Sequence, residues 1–300
     1  MALLLAALAV AVGERLDDQP GLYRLAAVGL LLGLATLVRP VSLPVFPALL
    51  VAWLIARRGW RVAGIQAAAV GGAAALVLLP WVDRNAVVMG QPALSTNTGD
   101  NLCMSRRVGG SGGFEFPNER CFTGPFDGLQ RPEFELARDT YGRRLAFDFV
   151  RAHPGEELAL IARRAGHTFK DDTDGLFAAE SYGDDRFIPP DLRMALSLAA
   201  NGFALPAAII GTAGLGVLGF RTRRRDAVGG ASLLVALTAA GLLVPPLVFF
   251  GDPRFHVPAA PFAAIGVGVA VHAVWTRHRQ DPTDPALRSA PSGLTDPRSP

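Results

Sequence analysis

Long apolar runs dominate both ends of the chain and are separated by short polar segments. A helix needs about 20 mostly apolar residues to cross the hydrocarbon core of a bilayer. Six uncharged runs approach or exceed that length: Leu25–Val38, Val41–Ala56, Val62–Val82, Leu196–Phe220, Val228–Phe250 and Val257–Trp275. The pattern predicts an all-α polytopic membrane protein with about six full transmembrane helices.

The first apolar segments are shorter than the later ones. Ala2–Val12 is too short to cross a bilayer, so we expect it to be a partial transmembrane helix, the end of a longer one. The next two runs meet at Arg39-Pro40. Proline cannot continue a helix, and it disfavours helical geometry at the residue before it. We therefore expect a tight helical hairpin at this point.

Residues 83–195 lack such runs and are predicted to form a mainly α extracytoplasmic domain, inserted after the fourth apolar segment. Apolar residues at steps of three and four predict a helix over Arg131–Ala152, and Pro154 opens a second helix that runs to about Phe169. Both helices are expected to lie over the membrane-facing core with their charged faces in solvent. The second has an apolar face formed by Leu158, Ile161, Ala162 and Ala165.

These patterns divide the chain into four parts. Residues 1–82 hold the first transmembrane helices, residues 83–195 the outer domain, and residues 196–275 three further spans with a short outer loop at 251–256. Residues 276–300 are rich in proline and polar side chains, so we expect a disordered cytoplasmic tail.

Composition and charge agree with membrane residence. Half of the residues are hydrophobic and 18% are charged, whereas soluble proteins carry about 25% charged residues. The net charge of +3 does not indicate nucleic-acid binding, because the arginines cluster beside the apolar runs, as the positive-inside rule expects of cytoplasmic loops. These clusters lie at 57–61, 221–225 and 277–279. Alternation of the spans then places residues 83–195 and 251–256 outside a multi-pass protein of the cell membrane.

Four short motifs follow in order along this topology: Pro80-Trp81 with Arg84-Asn85, the turn Ser95–Leu102, the helix end Ala146–Pro154, and the outer loop Gly251–Pro258. Together with Arg39-Pro40 upstream, this order resembles GT-C glycosyltransferases of the group around glycosyltransferase family 39. That group uses dolichyl- or polyprenyl-phosphate sugars and includes protein mannosyltransferases and aminoarabinose lipid A transferases. The resemblance covers roughly residues 29–271.

The resemblance implies transfer of a sugar from a polyprenyl-phosphate donor to an acceptor at the extracytoplasmic face, in contact with membrane lipid and without a cofactor. It also implies an acidic base in the first extracytoplasmic loop. The early acids Glu14, Asp17 and Asp18 fall on the predicted cytoplasmic side. We therefore expect the chain to be the C-terminal portion of such an enzyme, without its catalytic base. The alternative is a non-catalytic membrane remnant or partner subunit of that family.

A departing lipid phosphate needs cations or amide donors, and arginine meets phosphate oxygens in pairs. Arg84 and Arg254 each follow an outer membrane boundary and are the predicted phosphate contacts, unless they only snorkel to headgroups. The amides of Asn85, Asn97 and Asn101 are candidates for sugar hydroxyls, although asparagine in such runs often forms turns.

Asp252 and His256 flank Arg254 and are candidates to assist the acceptor; otherwise Asp252 caps the local turn and His256 marks the interface. No spacing of histidine, cysteine and carboxylate indicates a metal. A transporter is disfavoured, because the interiors of the spans carry no charged residue and offer Asn201 and His272 as candidates for such a path, whereas transporters carry ionisable residues on an ion path.

The chain has two cysteines, Cys103 and Cys121. The predicted topology places both outside, where disulfides persist. Glycines between them make a loop that is able to close, so we predict a structural disulfide. The alternatives are two free buried thiols or a metal pair that lacks its other ligands.

Overall fold

The computed structural model describes residues 1–16, 21–55, 59–115, 119–180, 183–222 and 227–279. These residues form helices, short 3-10 turns and one isolated bridge between Gly113 and Gly251, without a strand. The predicted all-α class is confirmed. The predicted basic residues Arg57, Arg58 and Arg223–Arg225, and the tail from residue 280, lie outside the described residues.

Fourteen helices follow one another along this part of the chain. The first four are α1 (Ala2–Leu16), α2 (Leu22–Val38), α3 (Val45–Ile55) and α4 (Trp60–Met89). The middle five are α5 (Thr98–Met104), α6 (Glu119–Phe122), α7 (Glu133–Ala152), α8 (Pro154–Thr168) and α9 (Asp174–Ala179). The last five are α10 (Pro190–Pro206), α11 (Thr212–Thr222), α12 (Ala227–Leu242), α13 (Val244–Val248) and α14 (Ala260–Arg279).

The terminal helices pack into one apolar bundle. Helix α2 lies against α1 and α4, and α12 contacts α1, α3, α11 and α14. The side chains at the centre are aliphatic or aromatic and almost fully buried: Val28, Leu32, Leu49, Leu215, Leu242 and Phe262. Burial of apolar area is what holds this part of the molecule together.

Within the described ranges, two helical segments are long and apolar enough to cross a bilayer: α4, and residues 230–248 of α12 and α13. Four other apolar helices of the described residues are shorter, and α14 is not among the candidate spans, so the six predicted spans are not confirmed. Two such segments are limited evidence of membrane association, because a buried core helix passes the same test. Helix α4 exposes more of its apolar surface: 28% of its apolar stretch is buried inside the protein, compared with 61% for residues 230–248.

The predicted break at Arg39-Pro40 is confirmed, whereas the predicted tight hairpin is wrong, because α2 packs on α1 and α4 while α3 packs on α4 and α12. Helix α2 ends at Val38, Arg39 is extended (φ −150°, ψ 117°), and Pro40 opens a 3-10 turn before α3. Helix α4, in contrast, continues past the predicted boundary at residue 83 and ends at Gly90, whose φ of 75° is left-handed. The polar residues Asp83, Arg84 and Asn85 therefore lie on the last turns of a helix.

Helices α5 to α9 form a separate layer at the end of α4, which we call the outer layer. Helix α5 packs on α7 so closely that Gly99 touches the backbone of Asp139, and Gly142 touches the backbone of Gly99. A Cβ atom at either glycine would collide with main-chain atoms, which cannot move aside like a flexible side chain. The predicted helices over 131–152 and 154–169 are confirmed as α7 and α8, with Pro154 in the first turn of α8.

The prediction that α8 buries its apolar face is wrong. Its buried residues are Leu160, Arg164 and Thr168. Leu158 is 70% exposed and Ile161 is 37% exposed. Helix α8 turns its charged side toward the protein because Glu157 meets Arg106 there and Arg164 meets the Leu247 carbonyl.

The predicted disulfide is present. Cys103 at the end of α5 is bonded to Cys121 in α6, and their Cα atoms are 6.0 Å apart. Both residues are buried. The bridge ties the short helix α6 to α5, and both helices in turn contact α7.

Candidate functional site

The outer end of α4 is held by its own polar side chains. The Asn85 amide donates to the Ala93 carbonyl at 2.7 Å, and the Trp81 indole donates to the Leu94 carbonyl at 3.2 Å. These two bonds fold residues 91–94 back over the last turns of the helix. Asn85 is buried and its amide is used structurally, so it is a supporting residue rather than a free donor.

Arg84 lies on the exposed side of the same turn. Its guanidinium stacks on the Trp81 ring, 5.2 Å from the ring centroid, and donates to the Asn85 side-chain oxygen at 3.1 Å. Stacking on an aromatic face fixes the plane of an arginine without using its N–H donors. Among the described residues, Arg84 has no acidic partner and keeps donors for an external anion.

Asn97 and Asn101 lie at the start of α5. Ser95 and Asn97 hydrogen-bond to each other through their side chains, and the Asn101 N–H donates to the Asn97 carbonyl. Thr96 reaches Glu135 of α7 at 3.3 Å. The segment is a turn docked on α7, and its asparagine side chains remain at least partly accessible.

Asp100 is the buried acid of this segment. One carboxylate oxygen pairs with Arg138 at 2.7 Å, while the other is buried without a hydrogen-bond partner in the structure. Burial raises the pKa of the Asp100 carboxyl above its ordinary value, although the charge of Arg138 acts in the opposite direction. Because Asp100 is 5% exposed, it is an acid of the protein interior and not of an open site.

The outer loop, residues 251–256, is the second place where predicted residues gather. The Asp252 side chain accepts from the Arg254 N–H at 3.1 Å, which caps the 3-10 turn that follows. The carboxylate also pairs with the Arg254 guanidinium at 3.3 Å. Arg254 lies over Phe114 and Phe255, and its side chain is half-exposed.

His256 faces inward from the outer loop. Its Nδ1 is 2.8 Å from the Thr168 carbonyl and its Nε2 is 3.2 Å from the Asp172 carboxylate. The ring stacks on Phe169, and the residue is 6% exposed. Both ring nitrogens are thus engaged within the protein, and His256 joins the outer loop to the end of α8.

The predicted site residues fall into two groups. Arg84, Asn85, Asn97 and Asn101 lie near the start of the outer layer, and residues 252–256 lie near its return to the bundle. Within the described part of the chain, no hydrogen bond or ion pair joins the first group directly to the second.

A buried ionic cluster that the sequence did not reveal connects the outer layer to the bundle. We call Arg106, Glu157 and Arg164 the arginine cluster. Arg164 is completely buried, and its Nη1 donates to Glu157 at 2.7 Å. Arg106 Nη2 donates to the same Glu157 oxygen at 2.8 Å. One carboxylate therefore serves two buried guanidinium groups, and the cluster carries a net positive charge.

Both arginines of the cluster also donate to carbonyl groups at the end of the apolar segment 230–248. Arg164 donates to the Leu247 carbonyl at 3.0 Å, and Arg106 donates to the Val248 carbonyl at 2.9 Å. The Ser105 hydroxyl accepts from Arg164 and donates to the Phe249 carbonyl. The last carbonyls of a helix have no partners of their own, and cations are favourable there. The cluster therefore caps this segment.

The spacing of the cluster on α8 was a readable signal. Glu157 and Arg164 are seven residues apart, two helical turns, and lie on the same face as Leu160 and Thr168. An acid and a base on the same face as a leucine fit a buried pair as well as a solvated one. The apolar stripe on the adjacent face, however, predicts that the other side of α8 is buried.

The acidic stretch after α8 is also engaged by cations and hydrogen-bond donors. Asp171 pairs with Lys170 and accepts from Thr173, and Glu180 pairs with Arg193. Although burial opposes the change, the Thr173 and Lys170 contacts lower the pKa of the Asp171 carboxyl. In the described residues, no three histidine, cysteine, aspartate or glutamate side chains are grouped so as to hold a metal ion.

Comparison of the chain with protein-family models, curated proteins and solved structures finds no match.

Proposed function

We propose that the chain binds a polyprenyl-phosphate sugar at its outer layer, as an enzyme or a partner subunit of the GT-C glycosyltransferase type. One observation carries the proposal. The two segments long enough to span a bilayer each lead into an exposed arginine, Arg84 on the last turns of α4 and Arg254 six residues after Val248. Both segments join the same outer layer of helices.

The two arginines share aromatic neighbours, although Arg254 also pairs with Asp252. Arg84 lies on Trp81, and Arg254 lies on Phe114 and Phe255. Aromatic rings next to a cation suit a boundary where apolar chains meet charged headgroups. A planar guanidinium held in this way presents paired N–H groups to phosphate oxygens. This chemistry fits the phosphodiester of a lipid-linked sugar.

Three carboxylates of the outer layer and the outer loop favour the non-catalytic alternative, in which the chain binds the donor for a partner. Asp100 pairs with Arg138, Asp172 with His256, and Asp252 with Arg254. A general base must be able to reach the hydroxyl of the acceptor. Each of these acids already has a cation or an imidazole against it, so we expect donor binding without turnover by this chain alone.

Donor binding can be measured by photocrosslinking. The full chain in lipid nanodiscs would be illuminated with a diazirine-bearing polyprenyl-phosphate sugar, and labelled protein would be quantified. We expect Arg254→Ala to reduce labelling roughly tenfold, as for loss of a charged hydrogen bond. Arg254→Lys should lose part of the signal, because lysine keeps the charge but not the paired geometry.

Arg151→Ala is the matched control, since Arg151 is an exposed arginine of α7 whose ion partner is Asp148. Its labelling should equal that of the unchanged protein. Equal labelling of Arg254→Ala and Arg151→Ala would contradict the proposal. Release of polyprenyl phosphate above the level of a boiled sample would instead favour the enzyme over the partner subunit.

A further inference from the structure

A surface cleft lies between α7 and the segment that folds back over α4. Its volume is about 300 Å³, and it is lined by Gln91, Pro125, Leu136, Ala137, Thr140, Tyr141 and Arg144. Gln91 directly follows Gly90, the left-handed residue that ends α4. The cleft therefore opens beside the outer end of an apolar helix, on the same layer as the predicted donor residues.

The floor of the cleft is apolar and backed by buried aromatic rings. Tyr141 packs against Phe126 with ring centroids 5.6 Å apart, and Phe126 is completely buried. Phe126 also packs edge-on against Phe134, so the aromatic support continues along α7. Leu136 and Ala137 complete this floor on the same helix. An aromatic ring held in this way offers a flat surface to a flat apolar ligand face.

The rim of the cleft carries hydrogen-bonding groups and no carboxylate. Gln91 supplies an amide, Thr140 a hydroxyl and Arg144 a guanidinium. The nearest acid on the rim of α7 is Asp148, at 3.8 Å from Arg144, and the Arg144 side chain is 81% exposed. The cleft is thus suited to a neutral or acidic ligand with many hydroxyl groups.

We propose that this cleft binds a single sugar ring. A pyranose has one C–H face that stacks on a tyrosine and a rim of hydroxyls that an amide, a hydroxyl and a guanidinium can bind. The volume is at the lower end of small-molecule sites, which run from about 300 to 1,000 Å³. This assignment rests on the proposed function, because the lipid-linked donor carries a sugar of the kind that the cleft would hold.

Saturation-transfer NMR on the full chain in nanodiscs tests the assignment with free sugars. The probes are the methyl glycosides of glucose, galactose, mannose and arabinose, together with glucuronic acid. We expect saturation of the ring protons of at least one probe. Tyr141→Ala should abolish it, and Gln91→Ala and Arg144→Gln should weaken it several-fold.

Two further variants keep the test sharp. Tyr141→Phe preserves the packing against Phe126 and should retain binding, which separates loss of the stacking surface from loss of folding. Arg151→Gln is the matched control for Arg144→Gln, because both arginines are about equally exposed and both pair with Asp148. It should leave saturation unchanged.

No saturation of any probe would overturn the assignment, as would equal saturation in Tyr141→Ala and the unchanged protein. Failure of the donor-binding proposal has a separate signature. If the cleft binds free sugars but photocrosslinking is indifferent to Arg254, the cleft stands and the phosphate site falls. If Arg254 controls crosslinking while no free sugar binds, the phosphate site stands and the assignment of the cleft fails.

Discussion

The bundle and the outer layer are held together by different forces. In the bundle, the largest fully buried side chains are leucine, valine and phenylalanine. In the outer layer, the largest fully buried side chain is Arg164, and Glu180 is also buried. Apolar packing tolerates exchange between residues of similar volume, whereas a buried charge needs one particular partner. The outer layer is therefore the more specific and the more vulnerable part of the molecule.

Removal of the shared acid should give the largest effect. We expect Glu157→Ala to destabilise the outer layer by about 3–5 kcal/mol, the usual consequence of leaving buried charges unpaired. Urea unfolding followed by a probe in α7 would measure it. Glu156→Ala is the adjacent control. Its carboxylate pairs with Arg163 at the surface, and we expect little change. Similar losses for the two variants would contradict the burial of the cluster.

Breaking the disulfide should be the next largest effect. The Cys103–Cys121 bridge has a sequence separation of 18, and a loop of that size contributes about 3 kcal/mol in the chain-entropy model. The double variant Cys103→Ser with Cys121→Ser should lower the unfolding temperature of the outer layer and leave the bundle unchanged. Intact protein should also resist a membrane-impermeant maleimide until it is reduced. Labelling without reductant would contradict the bridge.

A pair of substitutions to methionine compares the two regions directly. Leu49→Met in the bundle conserves volume and should cost less than about 1.5 kcal/mol. Arg164→Met, of similar shape, removes the donors that hold Ser105 and Leu247, and should cost more. Equal losses in thermal unfolding would mean that the arginine cluster acts only by filling space.

The smallest effect concerns pH and distinguishes two acids. The folded pKa of Asp100 is raised above 3.8, so the folded state holds its proton more tightly than the unfolded state. Its contribution therefore falls as pH rises from 3.8 through that folded value. Asp171 has the opposite sign, because its pKa is lowered and its contribution is lost as pH falls below 3.8.

Two variants test these opposite pH dependences of stability. In acid unfolding curves, Asp100→Asn should remove the decline above pH 3.8, and Asp171→Asn should remove the loss at lower pH. Changes of the same sign in both variants would contradict the difference in environment. Measurement relative to the unchanged protein cancels the other titrating groups.

Local backbone chemistry could be predicted from the sequence, and the direction of burial could not. Pro40 and Pro154 fixed a helix break and a helix start, and the two cysteines indicated their own pairing. The end of α4 was placed too early because Asp83 and Arg84 interrupt the apolar run, although the backbone continues to Met89. Polarity marks where an apolar run stops and does not end a helix.

The buried face of α8 was missed for a related reason. An apolar stripe is normally the face that packs, yet in α8 the partners Arg106 and the carbonyl of Leu247 come from distant parts of the chain. The sequence near α8 gives no indication of these distant partners. Among the candidate site residues, the exposed positions of Arg84 and Arg254 agree with the pattern, whereas the inward orientation of His256 depends on Asp172, another distant partner.

The arginine cluster also sets an order of events during synthesis. Arg106, Glu157 and Arg164 leave the ribosome well before Leu247 and Val248, whose carbonyls complete their hydrogen bonds. When the nascent chain has reached α8, these charged groups remain hydrated, because the carbonyl groups that accept from them in the folded protein have not yet been synthesised. The outer layer can complete these hydrogen bonds only after residues 230–248 have been synthesised, so its final folding must wait for that later segment.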